Sequence, residues 1–493
     1  MAPEDRPAAL VPPPPEGAPA PPPPDRLQRQ LLCGLAIAWV IGFTALAWHQ
    51  WTHYWTRSMD MTLYWEALHR FARGSAGLTS TWNTFLGHHA HWVHFLLTPL
   101  AWTGSPLGLF LLQAASVAGA ALALHRYAAR RLPPWPALLL AAAWLLQPLT
   151  QAPVMFDYHP EVLGVAALAW GLVALDERRP RACALAFVWV AATKETSGLV
   201  VLAAAPLALR ARQPRLALFL LGLGLVAFLG GRGLVALVNR NGYAQATHLY
   251  ASLGATLPEV AWNLVRHPLL ALDHLTAPGR MRTVSLVLGS ALFLPLLRPW
   301  HLVPVAPLFL LALMADLPRV HDVRYHYLAL PMVGLGFATA DALAGVAWAR
   351  QRALPLAGGL LGVGLLLHPL PLDGRPLSPV LGVHLWRQHA AEAARRAELD
   401  AVVAGLPAEG AVAATLMLAP HLADRDVYLL EILVNGYPGG GQPPFPDSLE
   451  HVIVVYPQSG EEVGAWLRAR HGAWHEVHRG PAAWAFRRDP PAR

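Results

Sequence analysis

Between residues 31 and 370 one apolar run follows another, and a chain patterned this way can fold only with lipid as part of its solvent. About eleven candidate spans can be read, near 31–50, 106–125, 135–153, 161–175, 182–193, 196–209, 216–237, 283–297, 302–315, 328–347 and 353–370. Several reach the roughly 17–25 residues that a helix needs to cross the hydrocarbon core. Charged residues make up only 14% of the chain, against about a quarter in soluble domains. The expected fold class is an α-helical polytopic membrane protein. Both cysteines, Cys33 and Cys183, lie inside apolar runs and are expected as buried thiols outside any disulfide.

The connectors orient the spans. Arginine falls on alternate connectors: Arg26 and Arg29; Arg126, Arg130 and Arg131; Arg178, Arg179 and Arg181; Arg210, Arg212 and Arg215; Arg298; Arg350 and Arg352. By the positive-inside rule these face the cytoplasm. The N-terminus is then cytoplasmic and the C-terminus extracytoplasmic, in the cell (inner or plasma) membrane. The net charge is +7, but the arginines sit between apolar runs and form no basic face, so no nucleic-acid partner is expected. Residues 1–30 carry VPPPPEGAPAPPPP and read as a disordered cytoplasmic tail with no visible cleavable signal peptide. Residues 31–370 form the transmembrane domain, with outer loops at 51–94 and 239–282 and shorter ones at 154–160 and 316–327. Residues 371–493 change character. An alanine-rich polar helix (about 388–404), the strand-like AVAATL, DVYLL and HVIVVY, the helix EEVGAWLRAR and a hairpin from WHEVHRG and AAWAFRR predict a small α/β domain outside the membrane.

Two of the spans are short. Segments 182–193 and 196–209 meet at Lys194-Glu195, and at about 1.5 Å per residue their limbs of roughly 18–21 Å fall short of the roughly 30 Å of a full crossing. Half-helices meeting inside the membrane, or at a water-filled cavity, are expected. Lys194 is the only lysine beside 36 arginines. A chain that otherwise uses arginine has kept a compact ammonium here. A phosphate contact in an outward-facing cavity is one reading, and an ion pair joining the half-helices is the other.

Other ionisable residues gather on the outer loops. SMDMTLYWEALHRFARG places Met61, Tyr64, Trp65, Leu68 and Phe71 on one helix face, suited to lying on the membrane surface. Asp60 opens that helix, as a dipole-favourable acid or as a functional group. Glu66, four residues before Arg70, reads as half of a solvated ion pair. GHHAHWVH brings together His88, His89, His91 and His94, for which metal ligation and an interfacial belt both serve. MFDYHPE sets Asp157, His159 and Glu161 at the mouth of two spans, for binding or for capping. RVHDVRYHY offers Arg319, His321, Asp322, Arg324 and His326; Arg324 could clamp a phosphate, or the loop is simply solvated.

Taken in order, these stretches resemble an uncharacterised family of bacterial multi-pass membrane proteins related to the GT-C glycosyltransferases. The resemblance runs from about residue 55 to the C-terminus. The family's YDLGIFDQALW, GDHFSP, FDFHPE and VKED correspond here to MDMTLYWEALH, GHHAHW, FDYHPE and TKET, and its late HY loop and APHL to RYHYLALP and APHL. Two positions depart. Trp65 stands where the family has a second aspartate, and His88 stands for the aspartate of GDH. The resemblance implies a GT-C-like fold, a polyprenyl-phosphate-linked sugar as donor partner alongside membrane lipids, and an acceptor on the outer face. It implies Asp60 as catalytic base or cation ligand, and Lys194, Glu195, Arg324, His326, Asp157, His159, Glu161 and His89 as residues around substrate and phosphate. The cofactor stays unassigned, with a divalent cation compatible with the motifs. The alternative is a non-enzymatic lipid-binding, transport or envelope-assembly protein on the same scaffold, which the two missing carboxylates favour.

Overall fold

The computed structural model describes residues 26–56, 58–242, 248–368, 371–372, 375–376, 389–407, 409–437, 441–455, 459–471 and 474–489; most of the proline-rich tail expected at 1–30 lies outside these. Each apolar run contains helix, but few helices are long enough to cross a bilayer unaided. Among the described residues four qualify by length and apolarity: Arg26–Thr52, Leu107–Ala129, Pro214–Val238 and His326–Gly345. A fifth results if Pro134–Leu146 and Pro148–Met155, bent by 42°, count as one span. Pro180–Thr193, Ser197–Arg210 and Ala353–Leu367 are shorter apolar helices. The count of about eleven spans is therefore not confirmed among the described residues, where prolines and sharp turns divide the remainder.

The bend at Pro148 shows how such breaks are tolerated. Gln147 is extended (φ −79°, ψ 144°), as a residue before proline prefers. Backbone groups freed from a helix in lipid need other partners. Leu145 O accepts from Trp39 Nε1 at 2.9 Å and Gln151 Nε2 at 3.2 Å, and Leu146 O from His368 Nε2 at 2.6 Å. The first helix is apolar on two faces. Leu32, Ala36, Trp39, Phe43 and Ala47 are buried at three- and four-residue spacing, while Ile37 and Ile41 are 60% and 64% exposed on the other side. A face that is apolar and unpacked by protein belongs to lipid.

One end of the bundle collects basic connectors. Arg126 pairs with Glu177 at 2.6 Å and Arg130 with Asp176 at 2.8 Å, and Arg131 also reaches Asp176. Arg131 lies 3.7 Å over the Tyr127 ring, whose hydroxyl donates to Asp341 at 2.6 Å. His301 meets the other Asp341 oxygen at 2.8 Å, and Arg298 donates to Gly345 O at 2.7 Å.

Beside two-residue ladders β1 (Gly77–Leu78) with β2 (Asn83–Thr84) and β3 (Pro371–Leu372) with β4 (Arg375–Pro376), the C-terminal part forms a five-stranded sheet. Its strands are β5 (Ala411–Ala414), β6 (Val427–Leu429), β7 (Leu449–Val454), β8 (Trp474–Arg479) and β9 (Trp484–Arg488), in the order β6-β5-β7-β9-β8. The β6-β5-β7 part is parallel, and β9 and β8 complete it antiparallel. This sheet packs on the first outer loop. Tyr54 donates to Asp400 at 2.7 Å, Arg70 pairs with Asp426 at 2.7 Å, and the His421 ring stacks on Trp51 at 3.9 Å and lies tilted against Tyr54 at 4.2 Å.

That packing corrects the expectation of a helix lying on the membrane surface. In Asp60–Ala72 every residue from Met61 to Leu68 is buried. Glu66 keeps its Arg70 partner at 3.3 Å but is not solvated; it also accepts the backbone N–H of Thr79 at 2.7 Å and of Ser80 at 3.3 Å. A fully buried carboxylate needs this many donors.

Candidate functional site

Where the helical bundle meets the C-terminal sheet there is a cavity of about 450 Å³. Asp60, His89, His159, Glu161, Lys194, Glu195 and His326 all line it, so residues far apart in sequence converge. Asp157 and Arg324, named with them from the sequence, do not line it.

Asp60 is held by the FDYHPE segment. His159 Nε2 donates to Asp60 Oδ2 at 3.2 Å. Asp157 adopts a left-handed backbone (φ 45°) that turns its carboxylate away from the cavity. There it accepts the N–H and Oγ–H of Ser58 at 2.9 and 3.1 Å, while Ser58 Oγ accepts the Asp60 N–H at 3.2 Å. Asp157 thus braces the segment that carries Asp60, beside a water-sized void of about 10 Å³. The Asp60 side chain is 34% exposed, towards the cavity, and His159 is 1% exposed. Burial alone would raise the Asp60 carboxyl. The hydrogen bond and charge of His159, the charge of His326 and the Ser58 hydrogen bond outweigh it and hold the group below the usual carboxylate range. Burial lowers His159, and Asp60, Glu161 and Asp157 more than reverse that.

The His159 and His326 rings stack at 3.5 Å, 17° from parallel. His326 Nε2 lies 3.3 Å from Glu161 Oε1, and the same oxygen meets Lys194 Nζ at 3.0 Å. Lys194 is where the Pro180–Thr193 helix stops; its backbone is extended (φ −167°, ψ 149°) and the next helix begins at Ser197. The expected junction of two short helices is therefore present. His91 Nδ1 takes the freed Thr193 carbonyl at 2.5 Å. Glu195 accepts from His89 Nδ1 at 2.8 Å and from Ala90 N at 3.0 Å, with Arg232 Nη1 at 3.6 Å. Gly231 is required there, since a Cβ would stand 2.6 Å from Glu195 Cβ.

The histidines of GHHAHWVH do not converge on an ion. His88 bonds Thr81 at 2.7 Å, His89 bonds Glu195, His91 bonds Thr193 and Tyr64, and His94 bonds Tyr64 O at 2.9 Å. Burial pushes His88 and His91 down to about 3. Among the described residues no three His, Cys, Asp or Glu side chains are placed to share a metal, and Trp65 and His88 supply no carboxylate.

Arg324 is turned onto Asp322, its neighbour two residues back, at 3.0 Å to both oxygens. Two other arginines line the cavity in its place. Arg319 comes from the same loop, and Arg232 follows a π-helical turn at Val226–Gly230 that also contributes Phe228. Arg232 lies hidden in the apolar run GRGLVALV, and only its company with Glu195 marks it. Phe228, Leu249, Leu308 and Leu311 make an apolar stretch of wall, and Leu416, Leu429, Glu431 and Ile432 of the C-terminal domain close the cavity.

In overall structure the chain is similar to the apo form of ArnT from Cupriavidus metallidurans, at 14% identity and TM-score 0.46 over 92% of this chain and 98% of that one. ArnT from the same organism bound to undecaprenyl phosphate gives 13% and 0.42, over 91% and 98%. Archaeal oligosaccharyltransferase AglB from Archaeoglobus fulgidus, in complex with an inhibitory peptide and a dolichol-phosphate, gives 11% and 0.40, over 91% and 72%. No curated protein matches in sequence. Residues 55–459 match the model of a family described as predicted membrane protein (DUF2079). That match takes in every motif around the cavity, from Asp60 to Glu431, and the chain belongs to this family of membrane proteins.

Proposed function

We propose that the cavity binds the phosphate of a polyprenyl-phosphate-linked sugar and transfers the sugar to an acceptor hydroxyl, the reaction of a GT-C-type glycosyltransferase. One observation carries this reading: a carboxylate open to the cavity, Asp60, shares it with the cations Lys194, Arg232 and Arg319 and with an apolar wall. The cations match a phosphate and the apolar wall matches the first isoprene units. In the reaction the bond between the anomeric carbon and the phosphate oxygen breaks, and the acceptor oxygen bonds that carbon. The departing lipid phosphate takes the electron pair, and the three cations stabilise its growing charge. The acceptor proton passes to Asp60. Because Asp60 is held ionised it is always in the accepting form; as a weak base it orients the hydroxyl first and takes the proton late. His159 and Asp157 position it. The cavity faces away from the cytoplasm.

A second reading, lipid binding, transport or envelope assembly without turnover, draws on Trp65 and His88 standing where the resemblance expects carboxylates. The deciding experiment supplies a polyprenyl-phosphate sugar to purified protein in nanodiscs and follows release of the sugar from the lipid. Release by wild type that Asp60→Asn lowers by about a hundred- to ten-thousandfold supports the transferase. Undecaprenyl phosphate binding that Arg232→Gln and Arg319→Gln weaken, with no release under any condition, supports the second reading and overturns the first.

A further inference from the structure

The C-terminal domain supplies part of the cavity wall, and the part it supplies includes a carboxylate. Leu416 follows β5, Leu429 ends β6, and Glu431 and Ile432 stand in the first turn of the Leu430–Asn435 helix. The parallel pair β5–β6 therefore delivers all four from its C-terminal edge, the edge at which open α/β sheets bind ligands.

Glu431 differs from the other carboxylates of the cavity. Asp60 has His159, Glu161 has Lys194, and Glu195 has His89 and Arg232. Glu431 has no cation partner among the described residues. The N–H of Leu416 serves both of its oxygens, at 3.0 and 3.1 Å. Its own backbone N–H is a second donor; a carboxylate offers about four acceptor positions, so among the described residues part of its capacity is left for whatever enters the cavity. Burial pushes its pKa upward, the opposite of Asp60. A carboxylate kept this way is costly unless donors arrive with a ligand.

We propose that Glu431 recognises the acceptor, through hydroxyl or ammonium groups that donate to its free oxygen positions, so that the transfer site is composite and the C-terminal domain selects a polyol or amino-polyol. This rests on the transferase reading. Cations of the helical bundle hold the lipid phosphate, and the domain above reads the group that receives the sugar.

The test uses the full-length protein in nanodiscs with two probes for the roof, methyl glucoside and glucosamine, observed by saturation-transfer NMR. Undecaprenyl phosphate probes the cation end separately. Glu431→Gln preserves shape and an acceptor for Leu416 N–H. Wild type should bind at least one roof probe, and Glu431→Gln should weaken it about ten- to a hundredfold, with undecaprenyl phosphate binding unchanged within about twofold. A preference for glucosamine identifies an ammonium as the recognised group, and parity identifies hydroxyls. Should Glu431→Gln fail to fold, Glu431→Asp, which keeps the charge and withdraws it by one methylene, must still weaken the probe. Equal probe binding in variant and wild type, or none in wild type, overturns the assignment. Undecaprenyl phosphate bound no better by wild type than by an Arg232→Gln, Arg319→Gln double variant would instead overturn the phosphate reading and leave the Glu431 result standing on its own.

Discussion

Asp60 and Lys194 show what a single position can disclose. Asp60 is ionised through its His159 partner, so its acid limb in a pH–rate profile should lie below the ordinary aspartate value of about 3.9. The sign follows from the depressed pKa: the charged form is present above it and is lost only as pH falls through it. His159→Gln removes the charge and weakens the hydrogen bond. The pKa of Asp60 should rise and the loss of sugar release should begin at higher pH. An unmoved acid limb would mean that His159 does not set Asp60. Lys194 is legible because it is the only lysine, but its site is legible only in three dimensions, where Glu161 lies 3.0 Å away. Lys194→Met leaves that carboxylate buried without its ammonium, with only the His326 ring beside it, and should cost about 3–5 kcal/mol, read as a lower thermal midpoint. Lys194→Arg should fold better yet lose phosphate affinity, since a guanidinium is larger than the ammonium this pocket encloses. The sequence pointed to Arg324 for the phosphate. A local partner, Asp322, takes it up, and nothing along the chain could rank it below Arg319 or Arg232.

Among the elements, the Asp60–Ala72 helix is legible in the sequence as a helix, and its surroundings are not. Its apolar stripe is real, but the C-terminal domain covers the side that an amphipathic pattern assigns to water. Arg70 and Glu66 are engaged with Asp426, Thr79 and Ser80. A contact between residues some 350 positions apart leaves no periodicity to detect. The strands of the C-terminal sheet carry their own alternating or continuous apolar runs and could be read singly, whereas their order β6-β5-β7-β9-β8 could not. His421 is the joint between the two parts. Its ring sits against Trp51 and Tyr54, its Nε2 is buried without a partner among the described residues, and burial takes its pKa from 6.5 to about 3. A histidine kept neutral in the docked state and free to charge when undocked destabilises docking as pH falls from about 6.5 towards 3. Hydrogen exchange of β5 and β6 should therefore be faster at pH 5 than at pH 7, after correction for intrinsic rates. His421→Phe should remove that difference while keeping the stack. A difference that persists in His421→Phe would place the sensitivity elsewhere.

For the whole molecule, polarity divides along the bundle. Arg126, Arg130 and Arg131 meet Asp176 and Glu177 at one end. Through Tyr127, Asp341 and His301 the same network extends to the connectors at 298 and 345. The cavity draws on the other loops, 51–94, 154–160 and 316–327, with the half-helix junction at Lys194 and with Arg232, and the C-terminal sheet packs on the first of them. The connectors joined in this network are among those the arginine pattern assigns to the cytoplasm. We therefore expect the C-terminus outside. Alkaline phosphatase folds only after export, so a fusion following Arg493 should be active, and fusions following Arg131, Arg215 or Arg350 inactive. A fluorescent protein that matures only in the cytoplasm should give the reverse pattern at the same four places. The spans between are a mixture of long helices, a bent pair and half-helices, so hydropathy cannot settle which connectors emerge on which side. The fusion pair can, because each site is read by one reporter that needs export and one that needs retention. Activity at Arg493 together with fluorescence at Arg131, Arg215 and Arg350 places Asp60, the three cations and Glu431 on the outer face. Fluorescence at Arg493 with phosphatase activity at Arg131 would turn the cavity to the cytoplasm. The acceptor would then have to be a cytoplasmic molecule, and the proposal of transfer on the outer face would fall.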